Sequence, residues 1–568
     1  MPNFRIFSRR SRRSSEIQPD EILIDSATVP SFDSDQFEGR IERPISRRSI
    51  VLLMGMFGLV ACAMIVRTSN LQLIDGTAYA SLSEENRLSH VYIFADRGEI
   101  VDRNGVELAY DSHETGAEVP RRVYAPYRGI AHIVGYAKAP AKDASGEYYQ
   151  DRYVGVEGIE RALDATLQGT NGLKISETDA RGKVISESTI ADPKHGEKVS
   201  LSIDVRLNQE LYDAIASRAE ASDFQSGAAA IMDVRTGEML AFVSYPEYAP
   251  QVLADRTDQA KIRAYLADSR MTFLDRVAAG QFTPGSIVKP FFALAALEEG
   301  IISPSKQIQS TGAISIPNPY APDKPTIFRD WKAHGWTDMQ KAIAVSSDVY
   351  FYAIGGGYGD QPGLGIDKLG EYARMFGFGS ETGIGTFTES EGVVPSREWK
   401  EKAFPDDPTW RLGNTYHTAI GQYGFQVTPL QVLRAVSALA NGGVLLTPTV
   451  IAGEQGPRTT LSITPANLEV VEEGMRKAAS PGGTAQALSV NYVDIAGKTG
   501  TAELGVNKDR VNSWVMGYFP YESPRYAFVM ILERGPRANL FGSAGVMREV
   551  FDWMHIHTPE YLEATTGR

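Results

Sequence analysis

Residues 282–297 read FTPGSIVKPFFALAAL, a serine and a lysine three positions apart at the mouth of an apolar run. Pro284-Gly285 is a turn signal, and Phe291 to Leu297 continues as a helix that Glu299-Gly300 can stop. Ser286 therefore stands at a helix N-terminus, where the dipole favours developing negative charge. Lys289 falls on the same face, within reach of the hydroxyl. A serine hydroxyl is a weak nucleophile that needs an adjacent base, and a desolvated lysine beside a second cation can be neutral enough to serve. The spacing alone is a weak signal, because Ser303-Pro304-Ser305-Lys306 matches it by accident. That second match follows the glycine stop and leads into no apolar helix, so Ser286 is the candidate.

Two further short motifs lie downstream. Ser346-Ser347-Asp348 precedes the apolar Val349 to Ile354, and Lys498-Thr499-Gly500-Thr501 follows Val493 to Gly497, which reads as a strand entering a sheet. Gly497-Lys498-Thr499 resembles the end of a phosphate-binding loop, but the glycine required five residues earlier is Tyr492. Around the motifs, Leu207, Leu211 and Ile215 repeat at helical spacing. Ala228 to Asp233 and Glu238 to Val243 read as strands joined by Arg235-Thr236-Gly237, and Trp514 to Phe519 pairs with Tyr526 to Leu532. Strands at both ends with helices between them predict an α+β domain whose antiparallel sheet is completed by both termini. No Gly-x-Ser-x-Gly elbow or His-Glu-x-x-His occurs, the eight histidines are scattered, and Cys62 is the only cysteine.

A length of 568 residues suggests two or three domains, and 43% apolar with 22% charged residues is a globular composition. The net charge of -13 argues against nucleic acid as a partner. Residues 1–48 read as a disordered cytoplasmic tail with arginines at Arg9, Arg10, Arg12, Arg13, Arg43, Arg47 and Arg48. Ile50 to Val66 is an uncharged apolar run of 17 residues, ~26 Å as a helix and enough to cross a bilayer core. We place a transmembrane helix at 49–67; the arginines before it predict that everything after it lies outside. A cleaved signal peptide lacks its small-x-small exit here, and the run passes beyond the lipoprotein-like Leu59-Val60-Ala61-Cys62. Residues 68–198 read as a small, mostly β module, with turn signals at Asp102 to Gly105 and a hairpin at Asn171-Gly172. The α+β domain is expected over 199–560, followed by a C-terminal tail, 561–568.

Taken together, Ser-x-x-Lys, Ser-x-Asp and Lys-Thr-Gly in this order resemble the three-part signature of serine penicillin-recognising enzymes. The chain resembles class B penicillin-binding proteins from the anchor almost to its C-terminus. Residues 95–105 (ADRGEIVDRNG), 155–160 (GVEGIE), 232–238 (MDVRTGE) and 419–422 (AIGQ) carry the likeness beyond the motifs. The resemblance implies the penicillin-binding/transpeptidase fold, an antiparallel sheet with helices behind a non-catalytic pedestal and a single anchor. It implies a peptidoglycan D,D-transpeptidase working through a serine acyl-enzyme, acylated by β-lactams and needing no cofactor. Asp348, where division enzymes usually carry asparagine, and residues 328–332 (FRDWK) resemble the elongation-specific group, which serves cell shape.

Carried over position by position, the resemblance makes Ser286 the nucleophile and Lys289 its base. Ser346 and Asp348 form the opposite wall, and Lys498 attracts the terminal carboxylate. Thr499, Gly500 and Thr501 are the substrate-binding residues, the threonine hydroxyls taking that carboxylate, with backbone N–H groups of Ser286 and Thr501 as oxyanion donors. Implied partners are peptidoglycan stem peptides, β-lactams as inhibitors and a SEDS-family glycosyltransferase in the membrane. Two departures stand out. Little chain lies between Ala109 and Arg121, where many elongation enzymes insert a head subdomain. Some relatives bind zinc near the active site through Asp, His and Cys; Asp330 and His334 are available, but no cysteine follows the anchor, so no structural zinc is expected. Hydrolysis by a carboxypeptidase or β-lactamase shares the triplet, and a scaffold would keep its role without Ser286. The anchor and pedestal favour a polymer-facing transpeptidase.

Overall fold

The computed structural model describes residues 46–79, 88–178, 184–318, 321, 323–505, 507–539 and 541–563. It forms two compact units, residues 1–89 with 178–183, and residues 90–177 with 184–568. In the first, helix α1 (Arg47–Ser69) continues as a π-helical turn over Asn70–Ile74. Ser46 caps it by accepting from the Ser49 N–H, and 23 residues make it about 35 Å long. Its apolar side chains are exposed on every side, Leu52 at 75% and Leu59 at 73%, which suits a lipid surrounding rather than a protein core. Most of the predicted tail, 1–45, lies outside the described residues. A short helical stretch follows over residues 76–79.

The second unit begins with the β module. A four-stranded sheet has the order Val199–Ser200, Ile100–Val101, Glu107–Ser112, Arg121–Tyr124. The signature stretches 95–105 and 155–160 meet here around buried charges. Arg97 donates to Glu160 at 2.5 Å and to Asp164 at 2.7 Å, while Arg122 donates to the other Glu160 oxygen at 2.8 Å and to Asp111 at 3.1 Å. The Tyr124 hydroxyl adds a third donor to Glu160. Burial works against the Arg122 charge, yet Glu160 and Asp111 hold it above its ordinary value. The hairpin expected at Asn171-Gly172 is absent. Gly172 opens a strand, Gly172–Thr178, and the Asn171 side chain instead ties the Ala95 N–H to the Asp151 carbonyl.

The larger sheet uses chain from both ends of its region: β1 (Ser226–Asp233), β2 (Met239–Tyr245), β3 (Ala496–Leu504), β4 (Arg510–Phe519) and β5 (Tyr526–Pro536). It is antiparallel throughout, in the order β2-β1-β5-β4-β3. Side chains alternate between faces, and both faces are buried. Ala230, Met232, Phe242, Met516 and Val529 join one core, and Ala229, Ile231, Val515, Phe528 and Met530 the other. Of the helices, α2 (Val205–Ser222) and α6 (Ser543–His557) pack on the second face. The first face meets α5 (Pro429–Ala440) and the helix Pro465–Ala478, in a core that also holds α3 (Lys289–Glu298), with α4 (Asp348–Gly356) packed on α3. The α+β expectation of sheet and flanking helices therefore holds. Two details differ. Lys498 to Thr501 lie inside β3 rather than after a strand, and the fold runs past residue 560: Tyr561 and Leu562 are buried, and the Tyr561 hydroxyl donates to Asp204 at 2.7 Å.

Candidate active site

Ser286 sits in a 3-10 turn, Gly285–Val288, that feeds α3. Pro290 occupies the first turn of α3, where its missing N–H costs nothing. The turn is pressed between two backbones that tolerate no side chain. A Cβ on Gly421 (φ +75) would lie 2.1 Å from the Gly285 carbonyl, and the Gly285 N–H donates to the Gly421 carbonyl at 2.9 Å. On the other side, a Cβ on Gly500 would lie 2.9 Å from both Ile287 Cγ2 and the Pro284 carbonyl. Gly500 and Lys498, two residues apart on β3, share that face. Ser286 is half-buried, and its hydroxyl has no hydrogen-bond partner among the described residues.

Lys289 is fully buried and points away from solvent into the second motif. It donates to the Ser346 carbonyl at 2.8 Å, to the Ser346 hydroxyl at 3.2 Å and to Asp348 at 2.7 Å. The Phe351 ring lies 5.3 Å from its ammonium. Lys498, also fully buried, donates to the same Ser346 hydroxyl at 2.8 Å and to its neighbour's carbonyl, that of Thr499, at 2.9 Å. Ser346 Oγ thus receives from both lysines and keeps its own proton to donate. Burial, reinforced by the Lys289 ammonium, pushes Lys498 well below the usual lysine range, with Asp348 opposing. Thr499 is half-buried and Thr501 exposed along the same strand. The eight residues read from sequence therefore come together: Lys289, Ser346, Asp348 and Lys498 are joined by hydrogen bonds, and β3 lays Thr499 to Thr501 along the Ser286 turn. Ser303 to Lys306, the accidental match, is exposed elsewhere.

Ser346 has φ +56, a left-handed backbone that a non-glycine residue holds only when its surroundings over-determine it. Part of that support comes from Asp330, which sequence alone offered only as a possible metal ligand. Its side chain is 0% exposed, and Oδ2 accepts from the Ser347 hydroxyl at 2.8 Å, the Val349 N–H at 3.0 Å and the Ser310 hydroxyl at 3.2 Å. Oδ1 accepts from the Trp331 N–H at 2.8 Å, with His334 Nε2 3.4 Å away. Burial pushes His334 below its ordinary range, Asp330 opposing. A structural zinc takes four ligands from Cys, His and carboxylates. Among the described residues no group of three such side chains exists, and the hydroxyls of Ser310 and Ser347 complete this cluster instead. The donor set does not fit zinc.

Comparison with known proteins gives the same picture. Residues 227–552 match the family model "Penicillin binding protein transpeptidase domain", and residues 115–201 match "Penicillin-binding Protein dimerisation domain". The peptidoglycan D,D-transpeptidase MrdA of Escherichia coli K12 is 28% identical over 616 residues, covering 89% of this chain and 93% of its own. That of Haemophilus influenzae is 32% identical over 473 residues, covering 76% and 69%. Among solved structures, penicillin-binding protein 2 of Helicobacter pylori in complex with MreC superposes with TM-score 0.68 at 26% identity, covering 82% of this chain and 98% of that one. A structure on polymerization and crosslinking by a peptidoglycan synthase complex gives 0.68 at 26% identity, covering 89% and 97%. The pedestal-side match, the transpeptidase match and these relatives converge: the chain belongs to the class B penicillin-binding proteins and is of the penicillin-binding protein 2 type.

Proposed function

We propose that this chain is a membrane-anchored peptidoglycan D,D-transpeptidase of the elongation type, with Ser286 as its acylated nucleophile. The observation that carries the reading is a buried cluster, Lys289 and Lys498 on the Ser346 hydroxyl with the carboxylate of Asp348, directly after the turn that holds Ser286. The cluster holds two lysines but one carboxylate, which pairs with Lys289 alone, so it favours losing a proton. Lys498, with burial against its charge, gives one up most readily. When a stem-peptide carboxylate arrives beside Lys498, Thr499 and Thr501, positive charge becomes favourable on Lys498. The Ser346 hydroxyl, bonded to both ammoniums, is then the relay that lets Lys289 become the neutral base.

Ser286 Oγ attacks the penultimate D-Ala carbonyl and passes its proton to Lys289. The backbone N–H groups of Ser286 and Thr501 hold the oxyanion, each such donor contributing roughly 100- to 1000-fold in rate. The C–N bond to the terminal D-Ala breaks, its amine takes up a proton, and an amine from a neighbouring strand later displaces Ser286 to give the cross-link. Because Gly500 admits the Ser286 turn against β3, the nucleophile and the carboxylate-binding strand stay in register.

We read 1–48 as cytoplasmic, 49–67 as spanning, 68–198 as the pedestal and the chain from 199, through the buried Tyr561 and Leu562, as the catalytic domain on the outer side. The arginines flanking α1 support this orientation. A SEDS-family glycosyltransferase is our proposed membrane partner, in line with the synthase-complex relative. Labelling full-length protein with a fluorescent penicillin, read by intact mass, tests the site. A stable adduct on wild type that vanishes in Ser286→Ala is expected. Adduct formation by Ser286→Ala would remove Ser286 from its role. An acylation rate flat from pH 5 to 9 would remove Lys289 as a neutral base.

A further inference from the structure

We infer that Asp330 is a positioning residue for acylation: hydrogen bonds from its carboxylate, not a metal ion, lock the Ser346–Asp348 turn in its catalytic shape. The inference rests on the site reading above. Asp330 comes from the segment after the strand Thr326–Arg329, a different stretch of chain from the turn it holds. Its Oδ2 takes the Ser347 hydroxyl and the Val349 N–H, the residues immediately before and after Asp348. Asp348 is thereby pinned from both sides, with its carboxylate left to Lys289 at 2.7 Å.

The same carboxylate opposes the strain at Ser346. A left-handed serine at φ +56 relaxes if its neighbours are free to follow. Lys289 holds the Ser346 carbonyl from the catalytic side, and Asp330 holds the next residue from behind. Ser347 also caps α4 by accepting from the Tyr350 N–H, so one hydroxyl joins the clamp to the helix N-terminus. Ser310 completes the grip on Oδ2, and the backbone ties Asp330 N–H to the Gly312 carbonyl and His334 N–H to the Ser310 carbonyl. Bonds from N–H and O–H donors to a buried carboxylate are of the stronger kind. His334 Nε2, 3.4 Å from Oδ1, is buried without a hydrogen-bond partner among the described residues.

The test separates the rate constant of acylation from the noncovalent affinity for a fluorescent penicillin, using full-length protein in detergent. For Asp330→Ala, the rate constant should fall roughly 100-fold, as a small misplacement of a catalytic group does. The noncovalent affinity should stay within about threefold. Asp330→Asn, which can still accept from Ser347 and Val349, should recover to within about tenfold of wild type. Ser347→Ala, which removes one hydroxyl, should lose about fivefold. A folded Asp330→Ala with the wild-type rate constant overturns the inference, as does a loss confined to affinity. If Asp330→Ala does not fold, Ser347→Ala decides: a wild-type rate there overturns it. Loss of wild-type acylation on adding EDTA would also overturn it, in favour of a metal-held turn. Ser286→Ala run alongside keeps the two readings apart: an adduct there sinks the site itself, whereas an unlabelled Ser286→Ala beside a normal Asp330→Ala sinks only the clamp.

Discussion

Two regions of this protein bury several charges, and they do so in opposite ways. In the β module, two arginines face three carboxylates, Asp111, Glu160 and Asp164, through paired hydrogen bonds, and the Tyr124 hydroxyl fills the remaining place on Glu160. In the proposed active site, two lysines share one serine hydroxyl, and one partly exposed carboxylate pairs with Lys289. Arginine never releases its proton and its planar fork fits a carboxylate in one geometry, so the first arrangement is a joint. Lysine shifts readily when buried, as Lys498 does, so the second is suited to the proton transfer proposed above. Arginines outnumbered by carboxylates hold shape, whereas lysines in excess of carboxylate leave a proton that can move.

The comparison breaks most sharply if the two lysines are not acting through their protons. Lys289→Arg keeps the positive charge and removes the base, so acylation by penicillin should fall by about 100- to 10,000-fold while the protein stays folded. A variant that acylates at the wild-type rate would put the cleft in the same class as the pedestal. The mirror experiment is Glu160→Ala, which removes the carboxylate that Arg97 and Arg122 share and leaves each buried arginine only one ion pair, to Asp164 and Asp111. Denaturant unfolding should register a loss of about 3–5 kcal/mol, with the acylation rate of the folded fraction unchanged. A large rate loss at preserved stability would instead couple the joint to catalysis.

A third, smaller test concerns the contact between the two regions. The Gly129 and Ala131 N–H groups donate to Glu247 at 2.7 and 2.9 Å, and burial pushes this carboxyl up to about 7. Because the folded value lies above the unfolded one, the folded state binds more protons between roughly pH 4.5 and 7. Glu247 therefore contributes stability below that window and loses it as pH rises through the folded value. From pH 5 to 8 the wild type should lose about 2 kcal/mol more than Glu247→Gln, measured by paired denaturant titrations. Equal pH slopes would show that Glu247 stays ionised in the folded protein.

How far the site was legible depends on how far apart its partners lie in the chain. Ser286 and Lys289 are readable because a helical turn puts three-residue neighbours on one face. The strands of the large sheet are readable because Ala228 to Asp233 and Tyr526 to Leu532 are apolar runs bounded by turn residues. Asn171-Gly172 misled because the dipeptide is a hairpin signal only when both flanking strands pair with each other, and here Asn171 bonds to Ala95 and Asp151. Asp330 looked like half of a metal site, since nothing local reveals that Ser347 and Val349 lie against it. Gly421 stood only in a family-like stretch, and its need for glycine comes from the Gly285 carbonyl 2.1 Å from where a Cβ would sit.

By itself, the sequence determined the anchor, from the length of an uncharged apolar run, and the α+β class, from apolar strands at both ends of a helical region. It also determined the order of the three motifs and with it the identity of the residues that meet. Only the tertiary structure decided that both lysines are buried on a single serine hydroxyl, that Ser346 is held left-handed, and that a carboxylate from a separate segment clamps the turn. The reason is physical. Local periodicity follows from backbone geometry, which neighbouring residues encode. Desolvation, Coulomb attraction and steric exclusion depend on through-space distance and burial, which exist only once the chain has closed on itself.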